Sequence, residues 1–507
     1  MDSLESPGEG GVMPPFFFCV RANREKEFRK KARWFRGRKG KMSIYVLHGE
    51  KESAVPLFEE AGWDHGSNPP VEGIGYDMIL QWGREELSGE ENSFFVLNGA
   101  KAINNLSSGR WRSLLPLHGL AVGEKGGNYS RKLLVASFQQ EILGIYSNLG
   151  PAWLAEGINR RRLREFRYDE GSRWVKRVTV TAVRSLYAMG LDFGSVLLGQ
   201  DGNKWRILSI SPRLPSLPTL FQRLRENVVK LREELLLPRG KGEIFLGADP
   251  EFILQDSSGR FLLASRFFPQ RGDVGCDRIW LRGDRTKRRL PIAELRPIPS
   301  PDPKELAKSI VKLLRKAARK VSDPRIRFLA GATPLKGYPI GGHIHFSPLP
   351  VNHFLVRALD NYLALPLFLL EDPEGFVRRP RYGFLGDVRT KPHGGFEYRT
   401  LPSWLISPRI AQGVLILSKL IALHYDRLRQ TPLTLPSVQE AFYGGKQEEL
   451  QEMVLSLWED LERLPAYPEY EGELERFKEK LRMLRKWNQK EDFRSRWRLP
   501  PYERETL

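Results

Sequence analysis

Four short segments in the second half of the sequence place ionisable side chains two residues apart. In a β-strand, side chains i and i+2 point to the same face, so Asp249 would lie beside Glu251, and Glu294 beside Arg296. Two neighbouring carboxylates repel each other unless a cation lies between them, and oxygen ligands suit Mg²⁺ or Mn²⁺. The spacing therefore predicts a divalent-metal site on one face of a sheet. The segments are residues 247–254, 292–297, 340–346 and 395–399.

The last two segments add imidazole and guanidinium groups to the carboxylates. His343 and His345 follow a glycine pair, and Glu397 precedes Arg399 by two residues. Between these segments, residues 378–389 are rich in arginine and glycine, which suits a loop that clamps phosphates through bidentate hydrogen bonds. Metal-bound carboxylates with histidines and arginines beside them are what phosphoryl transfer from ATP requires.

Each segment also has a purely structural interpretation. An isolated Asp-x-Glu or Glu-x-Arg pair in a strand is often a solvated face, and residues 378–389 alone could form an ordinary basic loop. The two histidines could be a zinc pair, but no third Cys or His ligand lies at the usual spacing. The order and number of the segments, rather than any one of them, favour the phosphoryl-transfer interpretation.

Periodicity and turn residues indicate the elements that position these groups, and the composition changes along the chain define four parts. The predicted elements are strands at 43–47 and 94–97, a hairpin around 200–203, and helices at 178–189, 303–321 (with Asp302 as N-cap) and 361–370. The predicted parts are a basic leader at 1–42 that is disordered or wrongly started, a first domain at 43–235, a second domain at 242–430, and a charged helical extension at 431–507.

Composition excludes several classes of protein. The 507 residues are 41% hydrophobic, which separates the chain from disordered proteins, and no apolar run reaches the length of a membrane span. Two cysteines, Cys19 and Cys276, cannot form a disulfide framework, so a cytoplasmic protein is expected. The net charge of +20 favours an anionic partner, but the basic residues are scattered and nucleic-acid-binding motifs are absent from the sequence. We therefore expect neither a membrane partner nor a nucleic acid.

The ordered motifs GADPEF, AELRP, GGHIHF, RYGFLGDVR and GFEYRTLPSWL resemble the phage-type amidoligases. These form a branch of the carboxylate–amine ligases, which are similar in fold to glutamine synthetase. The resemblance covers residues 242–424. It implies an α+β fold with a curved antiparallel sheet whose concave face holds ATP and Mg²⁺ or Mn²⁺. The implied chemistry is phosphorylation of a carboxylate, followed by attack of an amine or ammonia on the acyl phosphate.

The resemblance also implies roles for individual residues of this chain. In one place the chain departs from the family: Arg278 stands where glycine is expected in an acceptor-side loop at 275–278. The implied metal ligands are Asp249, Glu251, Glu294, His343 and Glu397. The implied nucleotide-binding residues are His343, His345 and Arg381. The implied catalytic residues are Arg381, Arg389, Glu397 and Arg399.

The first domain resembles a shortened α/β ATP-grasp module. Residues 96–103 are similar to the early strand and turn of that family, and residues 191–194 to a late one. The last strand of the family offers Glu-x-Asn to magnesium, whereas this chain has Ser209 and Ser211, whose neutral hydroxyls are poor magnesium ligands. We interpret the domain as a degenerate ATP-grasp fold without catalytic function.

The leading hypothesis is an ATP-dependent ligase that joins a small-molecule or peptide carboxylate to an amine or ammonia. The alternative is a binding or scaffold protein that keeps the ligase fold without turnover. A nucleic-acid-binding protein is a third class that rests on charge alone, and it predicts binding with steep salt dependence. The sequence does not specify an oligomeric state.

Overall fold

The computed structural model describes most of the chain beyond the predicted leader, which lies outside the described residues together with Arg278. The described residues are 44–70, 76–83, 95–124, 126–148, 163–166, 171–236, 239–240, 242–277, 290–391 and 394–502. Among them, helices and strands alternate in the first half, and an antiparallel sheet with helices forms the second.

The first half begins with a four-stranded parallel sheet in the order β2-β1-β3-β4. Its central strands, β1 and β3, are mostly apolar and almost wholly buried, as expected for strands covered on both faces. Residues 43–47 and 94–97 were predicted as strands, and the structure confirms both to within one residue. The strands are β1 Ile44–His48, β2 Asp64–Gly66, β3 Met78–Trp82 and β4 Phe95–Leu97.

A five-stranded antiparallel sheet follows, in the order β7-β6-β5-β8-β9. The predicted hairpin is confirmed, since β8 and β9 pair around a turn in which Gly202 has φ of +56°. The strands are β5 Arg131–Phe138, β6 Glu141–Asn148, β7 Leu163–Glu165, β8 Phe193–Asp201 and β9 Lys204–Ser211.

Five helices cover these two sheets. The predicted helix at 178–189 is present but begins earlier, where the Ser172 hydroxyl accepts a hydrogen bond from the Val175 amide. It ends before Gly190, which has φ of +78°. The helices are α1 Val55–Glu60, α2 Ala100–Ser107, α3 Trp111–Leu117, α4 Arg173–Ala188 and α5 Pro218–Leu236.

The second half is built on an eight-stranded sheet in which every recorded strand pair is antiparallel. Six strands follow the order β12-β13-β10-β15-β17-β16, and β11 and β14 both pair with the long strand β10. The strands are β10 Phe245–Gln255, β11 Phe261–Leu262, β12 Val274–Asp277, β13 Ile292–Leu295, β14 Arg327–Leu329, β15 Gly342–Ser347, β16 Val388–Thr390 and β17 Phe396–Tyr398.

Helices pack on this sheet and continue to the end of the described chain. Asp302 caps the first of them by accepting a hydrogen bond from the Lys304 amide at 2.8 Å, as predicted. The α-helices are α6 Pro303–Lys320, α7 His353–Leu359, α8 Leu365–Leu370, α9 Pro408–His424, α10 Pro436–Tyr443, α11 Gln447–Glu462, α12 Glu471–Arg482 and α13 Arg494–Trp497.

A π-helical turn, Asp360–Ala364, joins α7 to α8, and the predicted helix at 361–370 lies within this stretch. The whole stretch, His353–Leu370, is long and apolar enough to cross a membrane by length and composition, but 89% of it is buried inside the protein. A buried core helix satisfies the same criteria, and its burial favours that interpretation here.

The two halves share a buried polar interface. Asp192, immediately before strand β8, is 1% exposed and accepts a hydrogen bond from the guanidinium of Arg357 at 2.9 Å. Asp360 accepts hydrogen bonds from Tyr187 of α4 at 2.7 Å and from Tyr398 of β17 at 2.6 Å. The first half is therefore joined through one carboxylate to β17, the strand next to the β16 edge of the eight-stranded sheet.

Two segments differ from the predicted loops. Residues 275–277 belong to strand β12 rather than to a loop, because their backbones pair with β13 at the sheet edge. The run 378–389 is not one loop either: its start ends a 3₁₀ helix, Pro373–Arg378, and its last two residues begin β16. Strand β12 depends on pairing with β13, which is remote in the sequence, whereas β16 forms a hairpin with β17 that the run of arginine and glycine did not indicate.

Candidate active site

The strand register aligns the predicted site residues across the sheet. Glu251 of β10 lies directly opposite Glu294 of β13, and Asp249 lies opposite His343 of β15. Residues directly opposite in antiparallel strands point to the same face, as do residues two apart on one strand. These carboxylates and the imidazole therefore share one face of the sheet.

The alignment continues toward the other edge. His345 of β15 lies opposite Glu397 of β17, and Glu397 lies opposite Arg389 of β16. Arg399 comes two residues after Glu397, just beyond the end of β17. Five neighbouring strands thus contribute to this face: carboxylates come from β13, β10 and β17, imidazoles from β15, and a guanidinium from β16.

The opposite face of the same strands is apolar and packs in the hydrophobic core. Ala248 and Phe252 of β10 alternate with the site carboxylates and are buried with Ala293, Ile344 and Phe346. Leu306 and Ile310 of α6 belong to the same core. The period-two alternation thus fixes the register, since a one-residue slip would bring the charges into the core.

Asp249 is the centre of the polar face. Its Oδ2 lies 3.1 Å from Nε2 of His345, and its Oδ1 lies 3.3 Å from Nδ1 of His343. The side chain is 14% exposed, and Oδ1 is buried without a hydrogen-bond partner in the described structure. Although burial disfavours the charged form, the two histidines lower the pKa of Asp249.

Glu397 lies next to Asp249 and is fully buried. Its carboxylate is 3.4 Å from Nδ1 of His343, 2.6 Å from Nζ of Lys391 and 2.9 Å from Nε of Arg389. Nε of Arg399 lies 3.2 Å from Oε1 of Glu397, but the two atoms are not aligned for a hydrogen bond. Neither atom has a hydrogen-bond partner in the described structure. A buried carboxylate oxygen without a hydrogen bond is unusual in a folded protein and is accounted for by a bound ligand at this position.

Glu251 and Glu294 are held differently. The Gly341 amide donates to Oε2 of Glu251 at 2.6 Å, and Arg296 pairs with Glu294. Burial, with the nearby carboxylate of Asp249, raises the pKa of Glu294 to about 9 despite that ion pair. Burial also raises the pKa of Glu251. Both carboxylates are short of positive charge, which a divalent cation would supply.

The donor set fits a hard divalent cation. Ligand atoms of Asp249, His345 and Glu397 lie within 4.8 Å of one another, and two buried carboxylate oxygens have no hydrogen-bond partner. Carboxylate oxygens suit Mg²⁺ or Mn²⁺, and an imidazole among the ligands favours the transition metal Mn²⁺ over Mg²⁺. The group contains His345, which the resemblance assigned only to the nucleotide, and not His343, the histidine that the resemblance assigned to the metal.

The arginines of the run 378–389 occupy different environments. Arg378 is buried and donates to the Thr400 carbonyl at 2.9 Å, and Arg379 forms a two-bonded ion pair with Glu371 at 2.9 and 2.5 Å. Arg381 is exposed, with its guanidinium 5.4 Å from the ring centroid of Tyr382. Of the predicted arginines, Arg389 and Arg399 lie at the carboxylates.

Sequence reasoning missed two contributors. Lys391 contacts Glu397, but a lone lysine after a strand carries no signal of its own. Gly341 holds Glu251 through its amide and also leaves room for His343, because a Cβ there would lie 2.4 Å from Nε2 of that ring. The glycine pair was visible in the sequence, whereas its steric role required the packing.

Comparison with known families decides the assignment of this half. The model of the family described as phage phiEco32-like COOH.NH2 ligase-type 2 matches residues 246–499, half of the chain. The chain belongs to this family. The match includes all the aligned site residues and also spans α10 to α13. No curated protein matches the chain.

Several solved ligase structures are distantly similar to this carboxylate–amine ligase. The ATP-grasp ligase PsnB complexed with minimal precursor is 11% identical, with a TM-score of 0.26, over 34% of this chain and 91% of that one. The D-alanine–D-alanine ligase from Bacillus anthracis complexed with ATP is 9% identical, with a TM-score of 0.28, over 39% and 99%. A bifunctional glutathione synthetase from Pasteurella multocida is 10% identical, with a TM-score of 0.31, over 51% and 49%. These values are too low to support conclusions about activity.

Replacing Gly341 with alanine is expected to weaken metal binding by about 10- to 100-fold, as loss of a group that orients a ligand does. The new Cβ would displace the His343 ring from Asp249 and Glu397. Mn²⁺ titration followed by calorimetry measures the effect. Gly242→Ala is the matched control, because no atom lies within 4 Å of its Cβ position. Equal affinities in the two variants would contradict this role of Gly341.

The free energy of unfolding of the metal-free protein is expected to fall as pH rises between 4.5 and about 9. In that interval the folded state keeps the proton of Glu294, whose pKa is raised, while the unfolded state releases it. Urea denaturation at several pH values measures the slope. Glu294→Gln should make the slope shallower, and an unchanged slope in that variant would contradict the assignment.

Proposed function

We propose that the chain catalyses ATP-dependent formation of an amide bond between a carboxylate and an amine, through an acyl-phosphate intermediate. The family supports the joining of a carboxylate to an amine. The observation that carries the proposal further is the register that places Glu294, Glu251, Asp249, His343 and Glu397 on one face, with two buried carboxylate oxygens lacking partners. Such a face binds cations that in turn bind phosphates.

The charge distribution suggests how the substrates lie. Mg²⁺ or Mn²⁺, held by Asp249, His345 and Glu397 with Glu251 and Glu294 nearby, would neutralise phosphate oxygens when bound. Arg389 and Lys391 border this cluster, and both contact Glu397. We assign to them the binding and orientation of the transferring phosphoryl group, which develops charge on its oxygens. Arg381, exposed beside Tyr382, remains a predicted nucleotide-binding and catalytic residue.

The proposed reaction has two steps. A carboxylate oxygen of the first substrate attacks the γ-phosphorus of ATP, a P–O bond forms, and the bond to the ADP oxygen breaks. The amine nitrogen then attacks the acyl carbon, the C–N bond forms, inorganic phosphate leaves with the C–O bond electrons, and the nitrogen loses a proton. Arg399, 32% exposed beside the buried Glu397, is placed to bind the substrate carboxylate before transfer.

We infer a supporting role for the first half. Ser211, at the strand where ATP-grasp enzymes offer acidic residues, accepts a hydrogen bond from the Arg213 amide at 3.2 Å and completes a turn. Tyr187 reaches Asp360, which also binds Tyr398 next to the site residue Glu397. We propose that this half is a degenerate ATP-grasp domain that positions strand β17, in a cytoplasmic protein.

Hydroxylamine trapping tests the proposal. With Mg²⁺–ATP, a panel of carboxylates and hydroxylamine in place of the amine, an acyl phosphate gives one hydroxamate for each ADP released. Release of AMP and pyrophosphate would contradict the acyl-phosphate route in favour of an acyl adenylate. Absence of nucleotide turnover with every carboxylate in the panel would favour the scaffold alternative.

A further inference from the structure

The outer face of helix α6 carries a stripe of basic residues that does not belong to the carboxylate cluster. The stripe consists of Lys312, Arg315, Lys316, Arg319 and Lys320, all of them exposed. The spacing of three and four residues places them on one side of the helix. A surface depression of about 520 Å³ is lined, among the described residues, by these five side chains.

Most of the stripe is not neutralised within the protein. Lys316 pairs with Asp273 at 2.8 Å, whereas the other four basic residues form no ion pair with any residue in the described ranges. Like charges three and four residues apart destabilise a helix, so the stripe opposes the stability of α6. Arg319 and Lys320 are favourable near the helix C-terminus, but that effect is confined to the last turn and does not account for Lys312 and Arg315.

Helix α6 packs on the apolar face of the sheet, opposite the candidate active site, and a chain of contacts at the sheet edge links its basic stripe to that site. Nζ of Lys316 donates to both oxygens of Asp273, the residue before strand β12. The backbone carbonyl of Asp273 accepts a hydrogen bond from the Arg296 amide at 2.8 Å, and the Arg296 guanidinium pairs with Glu294. Two residues therefore connect the stripe to a site carboxylate.

We propose that this stripe is a binding surface for an acidic polypeptide that supplies the carboxylate for ligation. The proposal rests on the proposed ligase function and names its substrate class. Carboxylates along the peptide would contact the stripe while one carboxylate passes the β12 edge to the polar face of the sheet. From Lys312 to Lys320 the helix rises about 12 Å, the length of about four extended residues.

Other polyanionic partners fit the surface less well. The outward positions of α6 are charged or polar, and the stripe lacks the apolar side chains that insert into a membrane. It lacks aromatic residues for base stacking, and four unpaired cations would neutralise only about four phosphates of a duplex. A peptide substrate, by contrast, accounts for the contacts that link Lys316 to Glu294 at the sheet edge.

The test is fluorescence anisotropy of a labelled decaglutamate peptide with the full-length protein in the absence of nucleotide. The test variant combines Lys312→Ala, Arg315→Ala, Arg319→Ala and Lys320→Ala. We expect its affinity to fall by at least about tenfold and its binding to lose most of the salt dependence. Its melting temperature should not fall, because the substitutions remove like-charge repulsion and favour the helix.

A matched variant removes the same charge elsewhere: Arg173→Ala and Lys176→Ala on α4, with Arg225→Ala and Lys230→Ala on α5. An equal loss of affinity in this variant would overturn the proposal, since net charge would then explain the binding. Failure of the wild type to bind the peptide would overturn it too, as would tighter binding of duplex DNA through the stripe. A separate assay of the same peptide with Mg²⁺–ATP and hydroxylamine measures ADP release. Stripe-dependent peptide binding without ADP release in that assay would support the surface and contradict the ligase function, so the two failures are distinguishable.

Discussion

Replacing Asp249 with asparagine is expected to lower kcat/KM for ATP-dependent ligation by on the order of 10²- to 10³-fold. Asp249 contacts both histidines, and one of its buried oxygens has no hydrogen-bond partner. The amide has the same shape but carries no charge, so it would attract a divalent cation much less and would no longer hold His343 and His345 in place.

ADP release at saturating and limiting Mg²⁺ measures this effect. A variant limited by metal affinity should recover part of its activity at high Mg²⁺, whereas the wild type should not change. Glu452→Gln removes one carboxylate from the exposed side of α11 and is the charge-matched control. Wild-type activity in Asp249→Asn would mean that the catalytic centre does not depend on this residue.

Replacing Glu371 with glutamine is expected to lower the free energy of unfolding by about 3–5 kcal/mol, as the loss of one partner from a buried ion pair does. The Glu371 and Arg379 side chains are 1% and 2% exposed and share two hydrogen bonds. The Arg379 guanidinium also lies 4.7 Å from the ring centroid of Phe442. Without Glu371, its charge would remain in an apolar environment.

Chemical denaturation measures this change. Glu374→Gln is the matched control, because Glu374 is 62% exposed and its pair with Lys490 should contribute less than about 1 kcal/mol. The folded Glu371→Gln protein should bind Mg²⁺–ATP as the wild type does. A loss of nucleotide affinity without a loss of stability would instead support the original interpretation of residues 378–389 as a phosphate-binding loop.

The local features of the fold could be predicted from the sequence because they depend on neighbours in the chain. Asp302 and the helical repeat after it predict α6, and Gly202 within a polar turn predicts the β8–β9 hairpin. The spacing of Asp249 and Glu251 likewise predicts that they share a face, which the pairing of β10 with β13 and β15 bears out.

The remaining features depend on contacts between distant segments. No local pattern specifies that β13 and β15 flank β10, so the meeting of Glu251 with Glu294 required the sheet topology. The division of residues 378–389 into buried and exposed arginines likewise depends on Glu371 and Thr400. The proposed roles at the site came from the family resemblance, and the geometry shows which of those residues converge.

Calorimetric titration of the protein with Mg²⁺–ATP tests the central claim most directly, with Glu251→Gln and Glu294→Gln compared with the wild type and Glu452→Gln. The account predicts saturable, Mg²⁺-dependent binding in the wild type and in Glu452→Gln, and strong weakening in the other two variants. Binding that is unchanged by both site substitutions would contradict it, because the nucleotide would then bind outside the polar face of the eight-stranded sheet.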